Sequence, residues 1–168
     1  IQNINSNLAE DDIHCLTNTV LTYSDLITNR KTDYKFDLAK FPNVSGKTGI
    51  YVQSAQVRAN KLIRSLCLSK KTFNESPINL DLLDRNLIIA MANIEFYLEL
   101  SIKKSEPHHL ANYLYDISYA FNAFYQATSI KSIKDSNEKN QKVEIVRLFI
   151  QYSHLVMSCL GIKPVQKM

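Results

Sequence analysis

The sequence has no tryptophan, and only 3 glycines and 4 prolines among its 168 residues. A sandwich or barrel of short strands needs turn residues every few positions, so this shortage argues against an all-β fold. No apolar run is long enough to span a bilayer, and the N-terminal residues lack the pattern of a secretory signal. Few helix breakers and frequent Leu, Ile, Lys and Asn instead favour long helices. Because the chain begins at Ile1 rather than at a methionine, we expect it to be part of a longer protein.

The three cysteines, Cys15, Cys67 and Cys159, are odd in number and far apart in the sequence. This pattern is typical of reduced thiols in a cytoplasmic protein rather than of a disulfide framework. A domain of this length also buries a sufficient core without metals or disulfides. We therefore expect a cytoplasmic protein.

Charge is spread unevenly along the chain, although the net charge is only +4. Residues 31–75 carry a net +6 and residues 131–168 a net +4, whereas residues 1–30 and 76–130 each carry a net −3. If the two basic blocks meet in space, they form a surface suited to a polyanion. The alternative is an ordinary solvated lysine surface, which is common in soluble proteins.

Apolar residues recur at steps of three and four in five segments, which predicts five helices. These segments are approximately 11–29, 48–68, 79–104, 107–126 and 138–159. In the fourth segment, the predicted buried stripe consists of Leu110, Leu114, Ile117, Phe121 and Phe124. Thr48 and Asn79 are suitable N-caps, and Gly161 is a suitable C-terminal stop. The fold class predicted from this pattern is an all-α helical bundle.

Catalytic signatures are missing from the sequence. Gly46-Lys47-Thr48 resembles the end of a phosphate-binding loop, but Phe41 stands where that motif needs its first glycine. On a helix the adjacent His108 and His109 would point about 100° apart, so we expect them not to share a metal ion. No nucleophile elbow or glycine-rich dinucleotide fingerprint occurs. We therefore predict no catalytic residue and no metal site, which favours a binding module.

Tyrosine is more abundant than a helical core needs. The residues concerned are Tyr51, Tyr113, Tyr115, Tyr119 and Tyr125. Unpaired RNA bases stack on such rings, whereas most core tyrosines pack between helices with the hydroxyl at the edge. We expect most of the five to be structural and one or two to be available to RNA.

Several motifs in fixed order resemble one family. Pro-His-x-Leu-Ala-x-Tyr-Leu-Tyr runs from Pro107, Phe-Asn-x-Phe-Tyr from Phe121, and Leu-Gly-Ile from Leu160 towards Met168. Upstream, residues 46–53 and 55–58 read Gly-Lys-Thr-Gly-Ile-Tyr-Val-Gln and Ala-Gln-Val-Arg. Together they resemble the C-terminal anticodon-binding (DALR) domain of class I arginyl-tRNA synthetases, over roughly residues 23–168.

The resemblance implies a division of the chain and a set of partners. Residues 47–168 would be the DALR helical bundle, and residues 1–46 would connect it to a catalytic domain elsewhere in the parent chain. The parent would attach arginine to tRNA-Arg with ATP and Mg²⁺, while this segment would bind no cofactor and be inactive alone. Its partners would be the tRNA-Arg anticodon stem-loop and the parent's catalytic domain. The resemblance further implies a monomer without membrane contact.

The resemblance also implies eight candidate tRNA-binding residues. They are Tyr51, Gln53, Arg58, Tyr113, Asn122, Tyr125, Lys163 and Met168. In these roles a ring stacks on a splayed base, an amide reads a base edge, and a cation holds a phosphate. The family often has a proline near the middle of the third segment, which implies a kink there, although this chain has Glu95 instead. The sequence also departs from the family pattern at Ser54 (usually Tyr), Gln56 (usually His), Lys142 (usually Arg) and Val156 (usually Gly). The change at Ser54 removes an aromatic ring from the proposed RNA face.

One alternative stays open, namely a helical scaffold that keeps the fold and no longer binds RNA. Ser54 and the modest net charge are the observations that favour it. The arrangement of the basic residues separates the two hypotheses. If the chain binds RNA, the residues around Arg58 and Arg64 should share a face with the C-terminal lysines.

Overall fold

The computed structural model describes residues 10–33, 46–66 and 79–168. These residues form six α-helices and one short 3₁₀ turn, with no strand among them. The helices are α1 (Glu10–Ile27), α2 (Gly49–Leu66), α3 (Leu82–Ala92), α4 (Ile94–Lys104), α5 (His108–Ala127) and α6 (Ser136–Cys159), and the 3₁₀ turn is Ile130–Ser132. The predicted all-α bundle is confirmed. Within the described ranges, no helix is long and apolar enough to cross a membrane.

Helix α5 is the central helix of the bundle, because it packs against each of the other five helices. The buried stripe predicted for it is confirmed in full, at Leu110, Leu114, Ile117, Phe121 and Phe124. Phe121 stacks on Phe149 of α6, with ring centroids 4.1 Å apart and ring planes 7° apart. This stacked pair of rings joins α5 to α6.

The helix ends follow local capping chemistry. The Oγ1 atom of Thr48 accepts a hydrogen bond from Tyr51 N at 3.2 Å, which confirms Thr48 as the cap of α2. The predicted cap at Asn79 is wrong, because Asp81 caps α3 through a reciprocal capping box with Asp84. The predicted kink in the third segment is confirmed as a break at Asn93 between α3 and α4.

Helix α6 ends in a left-handed turn at Gly161, whose φ is +70°. Ile162 N donates to Met157 O at 2.8 Å, and Gly161 N donates to Ser158 O at 3.1 Å. These two bonds form a Schellman motif, so Gly161 is the stop that the sequence predicts. The turn directs the C-terminal segment, residues 162–168, back onto the bundle, where Ile162 and Val165 are buried.

Lys142 of α6 is buried and holds the start of α3. Its Nζ lies 2.6 Å from Asp81 Oδ2 and 2.6 Å from Asp84 Oδ2. Burial alone would lower the pKa of the Lys142 ammonium, but the two carboxylates outweigh it and raise that pKa. The hydrogen bond from Lys142 in turn lowers the pKa of Asp81. This buried ion pair joins residues about sixty positions apart and is absent from the sequence-based predictions.

Helix α1 packs against both α2 and α5. The hydroxyl of Tyr23, a fully buried residue, donates to Ala111 O of α5 at 3.0 Å. Where α1 crosses α2, a Cβ on Gly49 would lie only 2.9 Å from Thr19 O, so glycine permits the close approach of the two backbones. The packing therefore continues across residue 46, where the sequence suggested a domain boundary.

Candidate nucleic-acid interface

A row of tyrosine rings runs along the groove between α2 and α5. The Tyr51 and Tyr115 ring centroids are 5.2 Å apart, and those of Tyr115 and Tyr119 are 6.2 Å apart. Tyr119 is 61% exposed, whereas Tyr51 and Tyr115 are half-buried. The row therefore begins against the bundle and ends in solvent, where the Tyr119 ring offers an open face for stacking.

Lys47 places a positive charge beside this row. Its Nζ lies 5.4 Å from the Tyr115 ring centroid and 2.5 Å from Asn112 Oδ1. A cation over an aromatic face is attracted by the ring quadrupole, so the contact helps to hold Lys47 at the surface beside the rings. The combination of rings and an ammonium group is typical of surfaces that bind single-stranded nucleic acid.

Arg58 of α2 and Asn122 of α5 meet at the same groove. Arg58 Nη1 donates to Asn122 Oδ1 at 2.8 Å. Arg58 is exposed, whereas Asn122 is only 5% exposed and its Nδ2 has no hydrogen-bond partner among the described residues. The Asn122 amide thus orients the guanidinium of the exposed Arg58, whose remaining N–H groups are donors suited to a phosphate.

The solvent side of α2 contains basic residues and no acid. Arg58, Lys61 and Arg64 are exposed there, and α2 has no Asp or Glu in its sequence. Arg58 and Arg64 lie about 120° apart around the helix, so they border the two edges of this side. Arg64 Nη2 donates to Gln166 Oε1 at 2.7 Å, which brings α2 against the segment that carries Lys163 and Lys167. This bond places Arg64 beside the segment that carries the C-terminal lysines, whereas Arg58 lies at the other edge, so a face shared by all these basic groups stays a prediction.

Gln53 and Tyr113 lie inside the bundle, so they present no exposed atoms to a base. Gln53 is 0% exposed and has hydrogen bonds to α1 and to the C-terminal segment. Tyr113 is 1% exposed, and its hydroxyl donates to Met91 O at 2.7 Å. Burial raises the pKa of the Tyr113 hydroxyl. The direct RNA contacts predicted for these two side chains therefore receive no support from their positions.

The other candidates occupy the edges of the groove. Tyr125 lies one turn beyond Asn122, is 38% exposed, and packs on Phe121 with ring centroids 5.9 Å apart. Lys163 is exposed on the C-terminal segment. Met168 is partly buried and packs against an apolar cluster between α1 and α2. The structure thus places Tyr51, Arg58 and Asn122 along the groove between α2 and α5. Lys163 and Met168 lie on the C-terminal segment, which packs against α1 and α2.

The two adjacent histidines lie closer together than the helix geometry led us to expect. The ring centroids of His108 and His109 are 4.0 Å apart, and one ligand atom from each lies within 4.8 Å of a Glu106 carboxylate oxygen. Glu106 is already engaged, however, since its oxygens lie 2.6 Å from Lys31 Nζ and 3.0 Å from His109 Nε2. A dication there would have to compete with the Lys31 ammonium, so we assign the cluster a role in tying residue 31 to the start of α5.

This cluster predicts acid sensitivity. The hydrogen bond from Lys31 lowers the pKa of Glu106 from 4.5 to about 2. A carboxyl whose folded-state pKa is depressed contributes stability above its unfolded pKa, and this contribution is lost as the pH falls through the folded value. We therefore expect Glu106→Gln to flatten the loss of stability between pH 4.5 and pH 2. Urea midpoints across that range would measure this.

Glu99→Gln is the matched control for that prediction. Glu99 pairs with Lys103 at 2.6 Å, but both side chains are exposed, and exposed pairs contribute little to stability. We expect its acid profile to stay close to that of the unmodified protein. Equal flattening by the two variants would contradict the role of the buried Glu106 carboxylate.

Comparison with known sequences and structures settles the family. The sequence model described as the DALR anticodon binding domain matches residues 52–168. The chain belongs to the DALR anticodon-binding domain family. An arginine–tRNA ligase of Buchnera aphidicola is 34% identical over 154 residues, which cover 88% of this chain and 26% of that protein. The DALR chain thus spans about a quarter of that relative's length.

Solved structures give the same fold for the DALR chain. An arginyl-tRNA synthetase from Thermus thermophilus superposes with a TM-score of 0.87 at 20% identity, covering 99% of this chain and 29% of that one. An arginyl-tRNA synthetase from Plasmodium falciparum gives a TM-score of 0.75 at 29% identity, over 92% of this chain and 27% of that one. The resemblance found in the sequence is therefore confirmed, and the scaffold alternative gains no support from these comparisons.

Tyr119 is the exposed ring that the list of eight candidates omitted. The motif points to Tyr113, but Tyr113 lies three residues after Leu110 and four before Ile117, on the buried stripe of α5. Tyr115 and Tyr119 are spaced at i, i+4 and lie off that stripe. Helical periodicity applied to the motif would have distinguished the exposed rings from the buried one.

Proposed function

We propose that this chain recognises the anticodon stem-loop of tRNA-Arg as the DALR domain of an arginine–tRNA ligase. The observation that supports this most directly is the acid-free solvent side of α2, with Tyr119 exposed along one edge and the C-terminal lysines along the other. A stem-loop offers splayed bases next to closely spaced phosphates. Rings and cations at the two edges of one helix match that combination.

The parent protein would attach arginine to tRNA-Arg with ATP and Mg²⁺ bound in its catalytic domain. The sequence of this chain contains neither His-Ile-Gly-His nor Lys-Met-Ser-Lys-Ser, the two signatures of class I synthetase catalytic sites. We therefore expect the 168 residues alone to be inactive in ATP–pyrophosphate exchange. Exchange by the pure segment would contradict this division of labour.

The test of anticodon recognition is binding of the full-length protein to tRNA-Arg and to a tRNA-Arg with a changed middle anticodon base, each at two salt concentrations. We expect preference for the cognate tRNA and weaker binding at higher salt, because phosphate contacts release counterions. Equal binding to both tRNAs would mean that the surface offers charge alone. Absence of binding at low salt would favour the scaffold alternative.

Two substitutions at the groove should separate stacking from phosphate contact. Tyr119→Ala removes an exposed ring, so we expect affinity for tRNA-Arg to fall by about 5- to 150-fold, the range for one stacked base. Arg58→Ala should reduce the slope of log Kd against log salt by about 1, because it removes one phosphate contact. Filter binding over a salt series measures both effects.

Phe96→Ala is the matched control for Tyr119→Ala. Phe96 is 62% exposed, but it lies on α4, which packs against α3 and α5 away from the groove. We expect its affinity for tRNA-Arg to be unchanged. A loss equal to that of Tyr119→Ala would show that exposed rings act non-specifically.

A further inference from the structure

The C-terminal segment is held on the bundle by one buried amide. Gln53 Nε2 donates to Lys163 O at 2.7 Å and to Thr19 Oγ1 at 2.8 Å, while Gln53 Oε1 accepts from Val165 N at 3.0 Å. Gln53 is fully buried, and its bonds to Thr19 and Val165 are buried with it, whereas the bond to Lys163 O is partly buried. A single side chain on α2 therefore fixes the backbone of the segment at two points and ties both to α1.

Helix α1 makes two further hydrogen bonds to the C-terminal segment. Cys15 Sγ donates to Lys163 O at 3.2 Å, and Asp12 Oδ1 accepts from Gln166 N at 3.3 Å. The Thr19 hydroxyl that accepts from Gln53 itself donates to Cys15 O at 2.9 Å. The segment thus packs between α1 and α2. Its position therefore depends on α1, which lies outside residues 52–168, the part of the chain that the family model matches.

Because the backbone of the C-terminal segment is held in place, the positions of its two lysines are restrained as well. Lys163 and Lys167 are exposed, while Val165 between them is buried and Gln166 accepts from Arg64. Without the Gln53 bonds, the two lysines would be carried on a segment with fewer restraints beside α2. A preorganised cation binds phosphate more tightly than a mobile one, because less conformational freedom is lost on binding.

We propose that Gln53 is a positioning residue for RNA binding: it acts through the C-terminal segment by holding Lys163 and Lys167 beside the basic side of α2. This inference rests on the proposed function. It replaces direct base reading by Gln53, for which the buried amide has no exposed atom. It also makes α1 part of the RNA-binding unit, through the bonds of Cys15 and Asp12 to the segment.

The test is a double-mutant cycle in the full-length protein, with Kd for tRNA-Arg as the readout. Gln53→Met keeps the size of the side chain and removes all three bonds, and a Lys163→Gln/Lys167→Gln variant removes both charges while it leaves the segment in place. We expect each change alone to weaken binding about tenfold or more and to reduce the salt slope by about 1 to 2. Because Gln53 acts through these two lysines, Gln53→Met should weaken binding much less in the variant that lacks them.

Thr19→Val is the matched control. It removes the hydroxyl bonded to Gln53 inside the same buried site but leaves both bonds from Gln53 to the segment. We expect a lower Tm and a Kd for tRNA-Arg within about twofold of the unmodified protein, since the lysines keep their places. An affinity loss in Thr19→Val equal to that in Gln53→Met would overturn the proposal, because general loosening would then explain both.

Two further outcomes distinguish this inference from the proposed function. If the unmodified protein prefers cognate tRNA-Arg and Gln53→Met binds it equally well, the positioning role fails while anticodon recognition stands. If the unmodified protein shows no preference, the proposed function fails first.

If the Gln53→Met variant does not fold, a second measurement tests the proposal. A photo-crosslinking residue placed at the exposed Lys167 of otherwise unmodified protein should attach to tRNA-Arg. Absence of that crosslink would overturn the proposal.

Discussion

Replacing Lys142 by methionine is expected to lower the free energy of unfolding by about 3–5 kcal/mol, the range for breaking a buried ion pair by removing one partner. The Asp84 side chain is fully buried, and its Oδ1 already lacks a partner among the described residues. Without the Lys142 ammonium, that carboxylate would be left buried with only the Asp81 backbone N–H to satisfy it. Urea unfolding of the 168-residue chain, followed by circular dichroism, measures the loss.

Two companion variants identify the cause of that loss. Lys139→Met makes the same change one turn earlier on α6, at a residue outside the ion pair, and should stay within about 0.5 kcal/mol of the unmodified chain. In an Asp84→Asn background, Lys142→Met should cost less than in the unmodified chain, because no buried charge is then left unpaired. An equal cost in both backgrounds would contradict the electrostatic explanation.

Replacing Phe149 by alanine should have an effect of similar size, about 3–5 kcal/mol, which is typical of Phe→Ala in a core. Phe149 is fully buried, and its ring lies nearly parallel to Phe121 at 4.1 Å. The substitution removes the stacked contact and leaves a cavity between α5 and α6. Since α5 packs against every other helix, we expect the whole bundle to unfold at lower urea concentration.

Phe96→Ala provides the comparison for Phe149→Ala. The same atoms are removed from a side chain that is 62% exposed, so the unfolding free energy should change by less than about 0.5 kcal/mol. Equal losses from the two variants would mean that burial does not decide the cost. A loss from Phe149→Ala below about 1 kcal/mol would mean that the core collapses around the missing ring.

The helices and the core could be predicted from the sequence because apolar residues recur at helical spacing over several turns. The α5 stripe from Leu110 to Phe124 recurs at helical spacing over four turns, and all its predicted members are buried. Capping residues were harder to place, since Asn79 and Asp81 are equally suitable by type and only the reciprocal bond with Asp84 selects Asp81. Long-range pairs gave no local signal at all. Lys142 was noted only as a departure from Arg, and its carboxylate partners lie 61 and 58 positions away.

The candidate site was predicted in outline and less well in detail. Motif resemblance selects residues by position in the sequence, whereas contact with RNA depends on which side of a helix they occupy. Arg58 and Tyr51 lie on the solvent side or at its edge, while Gln53 and Tyr113 point into the bundle. The role of Gln53 emerges only when Thr19, Lys163 and Val165 are seen around it, because these residues come from three separate parts of the chain.

The Tyr23 hydroxyl bound to Ala111 O has a practical consequence for anyone preparing a minimal version of this domain. A piece cut at residue 52, where the family match starts, would lose Tyr23, the Thr48 cap and the first turn of α2. It would expose the apolar surfaces that Leu16 and Val20 cover and remove the hydroxyl that Tyr23 donates to Ala111 O. Such a piece would be prone to aggregate during expression. The smallest version suited to crystallisation with RNA should therefore begin upstream of Glu10.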